Sequence, residues 1–365
     1  MISNNAGDIA MGNLKYIFVH GLSGWGSYDE QNERMPYWGM RNGDLMKQLR
    51  KPGYDCYSAS VAPHGSAWDR ACELYAQLSG TRSDYGAAHS ARYGHERFGR
   101  DFTGIPLIES FDDAARLVLI GHSFGGATVR VFADILCNGR AEETGENRSP
   151  FFKGGMGNRI AAVVTLASPH NGTTAYDLFE DPAFDPKSVR VWHIEDVAGQ
   201  FMSRNNTPDT PLPEGDSAAY DMHIDNALAL NKTLNLDPAV YYFSQPCEST
   251  VQRDNGTYRP MVRKTELLFR RTSRYMGVYL GTTRGGVVID ERWRPNDGLV
   301  NTISSRFPMG DPHVSFDEAH VEPGVWNVFE TLNIDHMALQ GGLMHRYRVL
   351  PYYKKLLAML DALCG

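Results

Sequence analysis

Long apolar runs are missing from this 365-residue chain. None approaches the roughly 18 residues that a membrane-spanning helix needs, which argues against an integral membrane protein. Cysteine is scarce. Cys56, Cys72, Cys137, Cys247 and Cys364 are odd in number, scattered, and never in a C-x-x-C pair. That argues against a disulfide framework and against a thiolate zinc site. Positive charge is also short, with 36 Lys+Arg against 43 Asp+Glu and a net charge of -7. With no basic stripe, no nucleic-acid partner is expected. Repeats and low-complexity tracts are absent. Met1–Ala10 is polar and carries no signal-peptide core, so the protein stays inside or a signal has been removed. What is present is ordinary folding material. Hydrophobic residues make up 42% and charged residues 22%, enough for one large domain or two average ones.

The apolar runs that do occur are short and stopped by glycine or proline. Lys15–His20 reads as a buried strand ending at Gly21. Tyr54–Ala62 and Leu117–Ile120 follow, the latter ending at Gly121. Arg159–Ala167 and Ala239–Ser244 complete the strand series. Between them, Ala127–Leu136 places Val129, Phe132, Ala133 and Leu136 at helical spacing, and Tyr347–Leu363 reads as an amphipathic C-terminal helix. Strands alternating with helices predict an α/β fold whose mostly parallel sheet is covered on both faces.

Two stretches break this rhythm. Residues 66–103 are rich in His, Asp, Arg and Tyr and read as an insertion. Residues 173–235 form a cap or lid region. Its first part, Thr173–Tyr220, carries Pro182, Pro186, Pro208, Pro211 and Pro213 and is too long for a plain connection. Within it, Val191, Ile194, Val197, Ala198, Phe201 and Met202 make one apolar helical stripe. A helix packed on the core and a mobile lid helix both fit that stripe.

Gly121-His122-Ser123-Phe124-Gly125 matches G-x-S-x-G between a strand and a helix. A sharp turn there exposes Ser123 Oγ at the carboxyl edge of the sheet. The next helix aims its N-terminal N–H groups at developing negative charge. A serine needs a base, and in this chain order the base is a downstream histidine. The candidates are His170, His193, His223, His313, His320, His336 and His345. His336 stands in an apolar-flanked segment before the last helix and is favoured. Asp297, in Asn296-Asp297-Gly298, is the candidate acid, although the same tripeptide is a strong turn signal in itself. Asp335, next to His336, is poorly placed to orient that ring. The backbone N–H groups of Leu22 and Phe124 are the candidate oxyanion donors.

Asp69, His89 and His95 suggest an N/O metal site of the kind zinc prefers. The two histidines are six apart and cannot share a helix face, but a turn at Gly94 converges them. By spacing alone, two solvated histidines are the better reading.

The longer motifs carry a resemblance. Trp68-Asp69-Arg70-Ala71-Cys72-Glu73, Asp84-Tyr85-Gly86-Ala87-Ala88-His89 and Gly94-His95-Glu96-Arg97-Phe98-Gly99-Arg100 resemble the zinc-containing bacterial lipases, the thermoalkalophilic Bacillus-type and staphylococcal group. Val19–Gly26, Ala167–Thr173, Asn296–Thr302 and Gly324–Asn327 leading to Asp335-His336 fit the same group, from Tyr16 to the last helix. The resemblance implies an α/β-hydrolase domain over 1–365 and a secreted carboxylic ester hydrolase. It implies the triad Ser123, Asp297 and His336. It also implies structural zinc on Asp69, His89, His95 and a later aspartate, matched to Asp221 in Tyr220-Asp221.

Three departures matter. Phe124 stands where a glutamine is usual, which leaves its N–H intact. The lid looks shorter and more acidic, which points to short or medium acyl esters. Ala338 and Leu343 stand where the group has calcium-binding carboxylates, so calcium is not expected. The sequence therefore predicts a serine esterase or lipase, monomeric, acting on small or lipid esters and extending to polyester surfaces. Two rivals are a metallohydrolase that uses the zinc itself and a non-catalytic binding protein of the same fold. Four protein ligands disfavour the first, because they leave no position for water. A full set of catalytic groups disfavours the second.

Overall fold

A computed structural model describes residues 14–145, 147–205, 208 and 211–365. Met1–Ala10 and positions 206, 207, 209 and 210 of the expected cap lie outside them. The central sheet has seven strands. They are β1 (Leu14–Val19), β2 (Asp55–Ala59), β3 (Arg116–His122), β4 (Ile160–Leu166), β5 (Tyr241–Gln245), β6 (His313–Ser315) and β7 (Trp326–Val328). Their spatial order is β6-β7-β5-β4-β3-β1-β2, and every pairing is parallel. The two three-residue strands at one edge have no counterpart among the expected elements.

A parallel sheet must bury both faces, and the strand sequences do so by alternation. Ile17 and Val19 of β1, with Leu117 and Leu119 of β3, point into one core. There they meet helices α1 (Ala67–Ser79) and α3 (Gly125–Asn138). Tyr16, Phe18, Val118 and Ile120 point into the other, against Trp38 and the apolar face of the C-terminal helix Leu350–Cys364. The whole of β4 is buried, which explains why it reads as an unbroken apolar run.

The strand order sets the site. From β1 the chain crosses to β2 on one side and later enters β3 on the other. The crevice over the carboxyl ends of β1 and β3 is therefore a topological switch point, the usual place for a ligand in such sheets. Among the described residues, no helix is long and apolar enough to cross a membrane.

Residues 66–103 contain α1, a short hairpin of Arg82–Asp84 with Phe98–Asp101, and α2 (Ala87–Tyr93). Residues 173–235 contain α4 (His193–Asn205) and α5 (Ala218–Met222). This region has a small core of its own, in which Leu178 and Ile224 meet Tyr275, Met276 and Trp293 from outside it. Its partner is α6 (Leu267–Met276). Helix α4 turns its polar side to α6. Glu195, 2% exposed, is held by Arg274 at 2.7 and 3.1 Å, and Asp196 by Arg271 at 3.2 Å. Part of its apolar stripe faces outward, with Ile194 63%, Val197 52% and Phe201 63% exposed, next to Trp192 at 55%. The rest of the stripe is half-buried, with Val191 packed against the small core, so the stripe divides between contact and solvent. The ion pairs hold the other side inward, and breaking a buried pair costs about 3–5 kcal/mol.

Candidate active site

The turn from β3 into α3 carries Ser123 with φ +55°, in the left-handed region that a non-glycine residue rarely adopts. The flanking glycines make this turn sterically feasible. A Cβ on Gly125 would stand 2.3 Å from the Val19 carbonyl oxygen, and one on Gly121 would stand 2.3 Å from that of Gly125. The first-strand loop comes equally close, for a Cβ on Gly21 would lie 2.7 Å from Ser123 Cβ. The loop that carries Leu22 thus packs against Ser123, with Phe124 at the N-cap of α3. N–H groups at a helix start have no intrahelical acceptor and remain free to receive an anion.

His336 Nε2 lies 2.8 Å from Ser123 Oγ, and His336 Nδ1 lies 2.8 Å from Asp297 Oδ2. Asp297 is fully buried, and its other oxygen accepts the N–H groups of Leu299 at 3.0 Å and Val300 at 2.8 Å. The Asn-Asp-Gly turn and the acid role are therefore compatible, because the turn fixes the carboxylate. The His336 N–H also donates to the Asp297 carbonyl at 3.0 Å. Asp335 points elsewhere: its Oδ2 accepts the Glu266 N–H at 2.6 Å, and burial pushes its carboxyl up to about 8.

Two supporting side chains were not among the candidate site residues. Arg70 is fully buried behind the first-strand loop. Its guanidinium donates to the carbonyls of His20, Gly21 and Ala62 and to Thr128 Oγ1. It also stacks over the Phe124 ring at 5.1 Å. Tyr37 Oη accepts the Gly21 N–H at 2.9 Å and the Gln340 side-chain amide at 2.6 Å, and lies 2.8 Å from His122 Nδ1. These residues bind backbone groups, so no spacing in the sequence singles them out.

The second group lies in the insertion. Helix α2 ends at Gly94, whose φ of +73° reverses the chain and brings His95 back beside His89. His89 Nε2 is 3.3 Å from Asp69 Oδ1 and 3.3 Å from Asp216 Oδ2, and His95 Nε2 is 3.2 Å from the same Asp216 oxygen. Asp69, His89, His95 and Asp216 can therefore offer four donors to one ion. The expected fourth residue, Asp221, is not among them. Its Oδ2 accepts the Ala67 N–H at 2.7 Å, and burial pushes its carboxyl up to about 7. The aspartate that faces the histidines lies five positions earlier, outside the helix. Ser217 caps α5, so Asp221 sits inside that helix and faces the start of α1, while Asp216 precedes the cap. At Asp216, burial is outweighed by hydrogen bonds from His89 and Ser66, which hold its pKa below the ordinary value. Burial lowers the His89 pKa, but its bonds to Asp216 and Asp69 outweigh this and raise it to about 9. Asp69 Oδ1 and His95 Nε2 are buried, with only these close contacts inside the group as partners. Ala338 is buried and Leu343 half-buried; neither side chain has an oxygen to coordinate calcium.

The family described as lipase-like, C-terminal domain, matches the chain over residues 13–210 and 210–346. Lipase 2 of Staphylococcus aureus is 33% identical over 342 residues, which is 86% of this chain and 48% of that protein. A lipase of Staphylococcus epidermidis is 32% identical over 354 residues, 89% of this chain and 49% of that protein. The chain thus spans about half the length of the curated relatives it matches. Among solved structures, EstA from Clostridium botulinum superposes with a TM-score of 0.84 at 31% identity, covering 99% of this chain and 90% of that one. Staphylococcus hyicus lipase superposes with a TM-score of 0.77 at 29% identity, covering 96% and 97%.

Proposed function

The chain belongs to the lipase-like, C-terminal domain family, and on that premise we propose that it hydrolyses carboxylic esters through an acyl-enzyme on Ser123. The observation that carries this is the unbroken hydrogen-bonded line Ser123–His336–Asp297, with both links at 2.8 Å.

His336 Nε2 takes the Ser123 hydroxyl proton as Oγ attacks the ester carbonyl carbon. The N–H groups of Leu22 and Phe124 receive the oxyanion. One such donor is worth about 2.7–4 kcal/mol where it has been removed elsewhere. Collapse of the tetrahedral intermediate breaks the C–O bond, and His336 returns the proton to the leaving alcohol. Water then attacks the acyl carbon and gives a proton to the same nitrogen; the Oγ–C bond breaks, the acid leaves, and His336 returns that proton to Ser123 Oγ. Asp297 holds the imidazole tautomer and steadies the imidazolium. Arg70 and Tyr37 act earlier, by holding the first-strand loop where its N–H groups are needed.

Zinc fits Asp69, His89, His95 and Asp216. Two imidazoles and two carboxylates are a zinc donor set. A tetrahedral shell with bonds of about 2.0–2.1 Å has edges of about 3.3 Å, close to the donor spacings described above. When bound, the metal supplies a cross-link between the insertion and the entry to α5. A metallohydrolase reading is disfavoured because the four donors close the shell. The outward stripe of α4 would serve as the contact face for apolar esters, including aggregated or polymeric ones. The preferred acyl chains are short to medium, because the stripe is brief. A single chain suffices for the chemistry, since every proposed catalytic group comes from it.

Rapid mixing with a nitrophenyl ester tests the mechanism. A burst of about one nitrophenol per chain is expected, with the acyl group found on Ser123 by mass spectrometry. An acyl adduct elsewhere, or turnover without any, would count against it.

A further inference from the structure

We propose that Glu266, Asp335 and His345 form a second cation site, distinct from the Asp69 group, that takes a divalent transition metal such as zinc and braces the loop carrying His336. One donor atom from each residue lies within 4.8 Å of the others. Glu266 and Asp335 are each 0% exposed. Glu266 stands at the N-cap of α6 and spends only one carboxylate oxygen on the protein. That oxygen, Oε1, accepts the N–H groups of Leu343, Met344 and His345 at 2.7–2.8 Å. Asp335 Oδ2 is likewise taken by the Glu266 N–H. The remaining atoms are Glu266 Oε2, Asp335 Oδ1 and His345 Nδ1. All three are buried and lack a hydrogen-bond partner. His345 Nδ1 lies 3.6 Å from Glu266 Oε2, too far for a hydrogen bond and suitable for two ligands of one ion.

A buried carboxylate oxygen without a partner is costly, and two side by side repel. A cation removes both penalties at once. The donor set selects its class. Calcium takes roughly six to eight oxygens; here there are two carboxylates and an imidazole, which suit zinc and its first-row neighbours. The His345 side chain is 29% exposed, which leaves a path by which an ion can enter. The ion would join three segments: the start of α6, the residue before His336, and the turn at 343–345. Its function would be to hold the catalytic loop.

The site is tested on the full chain, first stripped of metal with a chelator and then titrated with zinc. Bound metal is counted by elemental analysis and thermal stability is measured alongside. His345→Ala is expected to bind one ion fewer than wild type, and Glu266→Gln likewise. In each the loss should add to that of His89→Ala, because the two groups share no residue. A zinc-dependent rise in melting temperature should persist in His89→Ala and shrink in His345→Ala. Equal zinc counts in wild type, His345→Ala and Glu266→Gln would overturn the proposal and leave a shared proton between the two carboxyls. Calcium bound in preference to zinc would overturn the assignment of metal class. The readout is a difference between variants, so it does not depend on whether the Asp69 group binds zinc or on Ser123 chemistry.

Discussion

The ring of His122, next to the nucleophile, donates from Nε2 to the backbone carbonyl of His336 at 2.8 Å. The tautomer follows from the neighbours. Tyr37 Oη already accepts from Gly21 N–H and the Gln340 amide, so its own proton goes to His122 Nδ1, and His122 carries its hydrogen on Nε2. One buried network thus ties the first-strand loop, the nucleophile turn and the histidine loop together. Burial drives the His122 pKa well below the ordinary value, so the link stays neutral through the working range.

His122→Phe removes the donor and leaves the His336 carbonyl buried without a partner. Such a loss costs about 1–3 kcal/mol. We expect kcat to fall about 10- to 100-fold with KM nearly unchanged, and the pH profile to keep its shape. A profile that shifted on this substitution would show that His122 titrates during turnover.

Asp216→Asn and Asp221→Asn separate the two aspartates. Asp216→Asn should lose zinc and lower the melting temperature by about 5–10 °C, a change of a few kcal/mol in a domain of this size. Asp221→Asn should keep the metal, because that carboxylate holds the Ala67 N–H. Elemental analysis of the two purified variants decides, and metal loss in Asp221→Asn alone would restore the sequence-based assignment.

Zinc uptake should release about one proton at pH 7. In metal-free protein the His89 imidazole is raised to about 9 by Asp216 and Asp69, against the pull of burial, and is charged at neutrality. Only neutral imidazole binds metal. Without metal, this pairing stabilises the fold fully below the unfolded value of about 6.5 and is lost as pH rises through about 9. Zinc reverses the trend, since its affinity grows as the proton leaves. Calorimetry in buffers of different ionisation enthalpy gives the proton count, and a value near zero at pH 7 would contradict the pairing.

The α4 stripe should act on substrate length. Ile194→Ser with Phe201→Ser changes exposed side chains only, so the fold should hold. Butyrate esters should be turned over as before, while KM for palmitate esters rises several-fold. Equal effects on both chain lengths would remove the stripe from substrate contact.

The sequence made the active-site frame legible because the strands leading to Gly21, Gly121 and Ser168 are apolar runs cut off by turn residues. It could not reveal β6 and β7, which are three residues each and offer too short a pattern for any period to emerge. Periodicity found the α4 stripe but not its direction, since that depends on Glu195 and Asp196 meeting arginines some 75 residues away along the chain. Asp297 was legible both as a turn and as the candidate acid, and its 2.8 Å contact with His336 Nδ1 agrees with the proposed role. The sequence pointed to Asp221 because a Tyr-Asp pair was the visible landmark, whereas the helix cap at Ser217 leaves Asp216, five positions earlier, facing the histidines. Arg70, Tyr37 and His122 bind carbonyls and N–H groups, and such partners leave no trace in side-chain spacing.

Ester turnover by Ser123→Ala tests the central claim most directly. Loss of the nucleophile in such a triad typically costs about a millionfold in kcat. The variant should fold as wild type, keep its zinc, bind substrate, and hydrolyse a nitrophenyl butyrate at no more than a trace of the wild-type rate. A folded Ser123→Ala protein with near wild-type turnover would contradict the account.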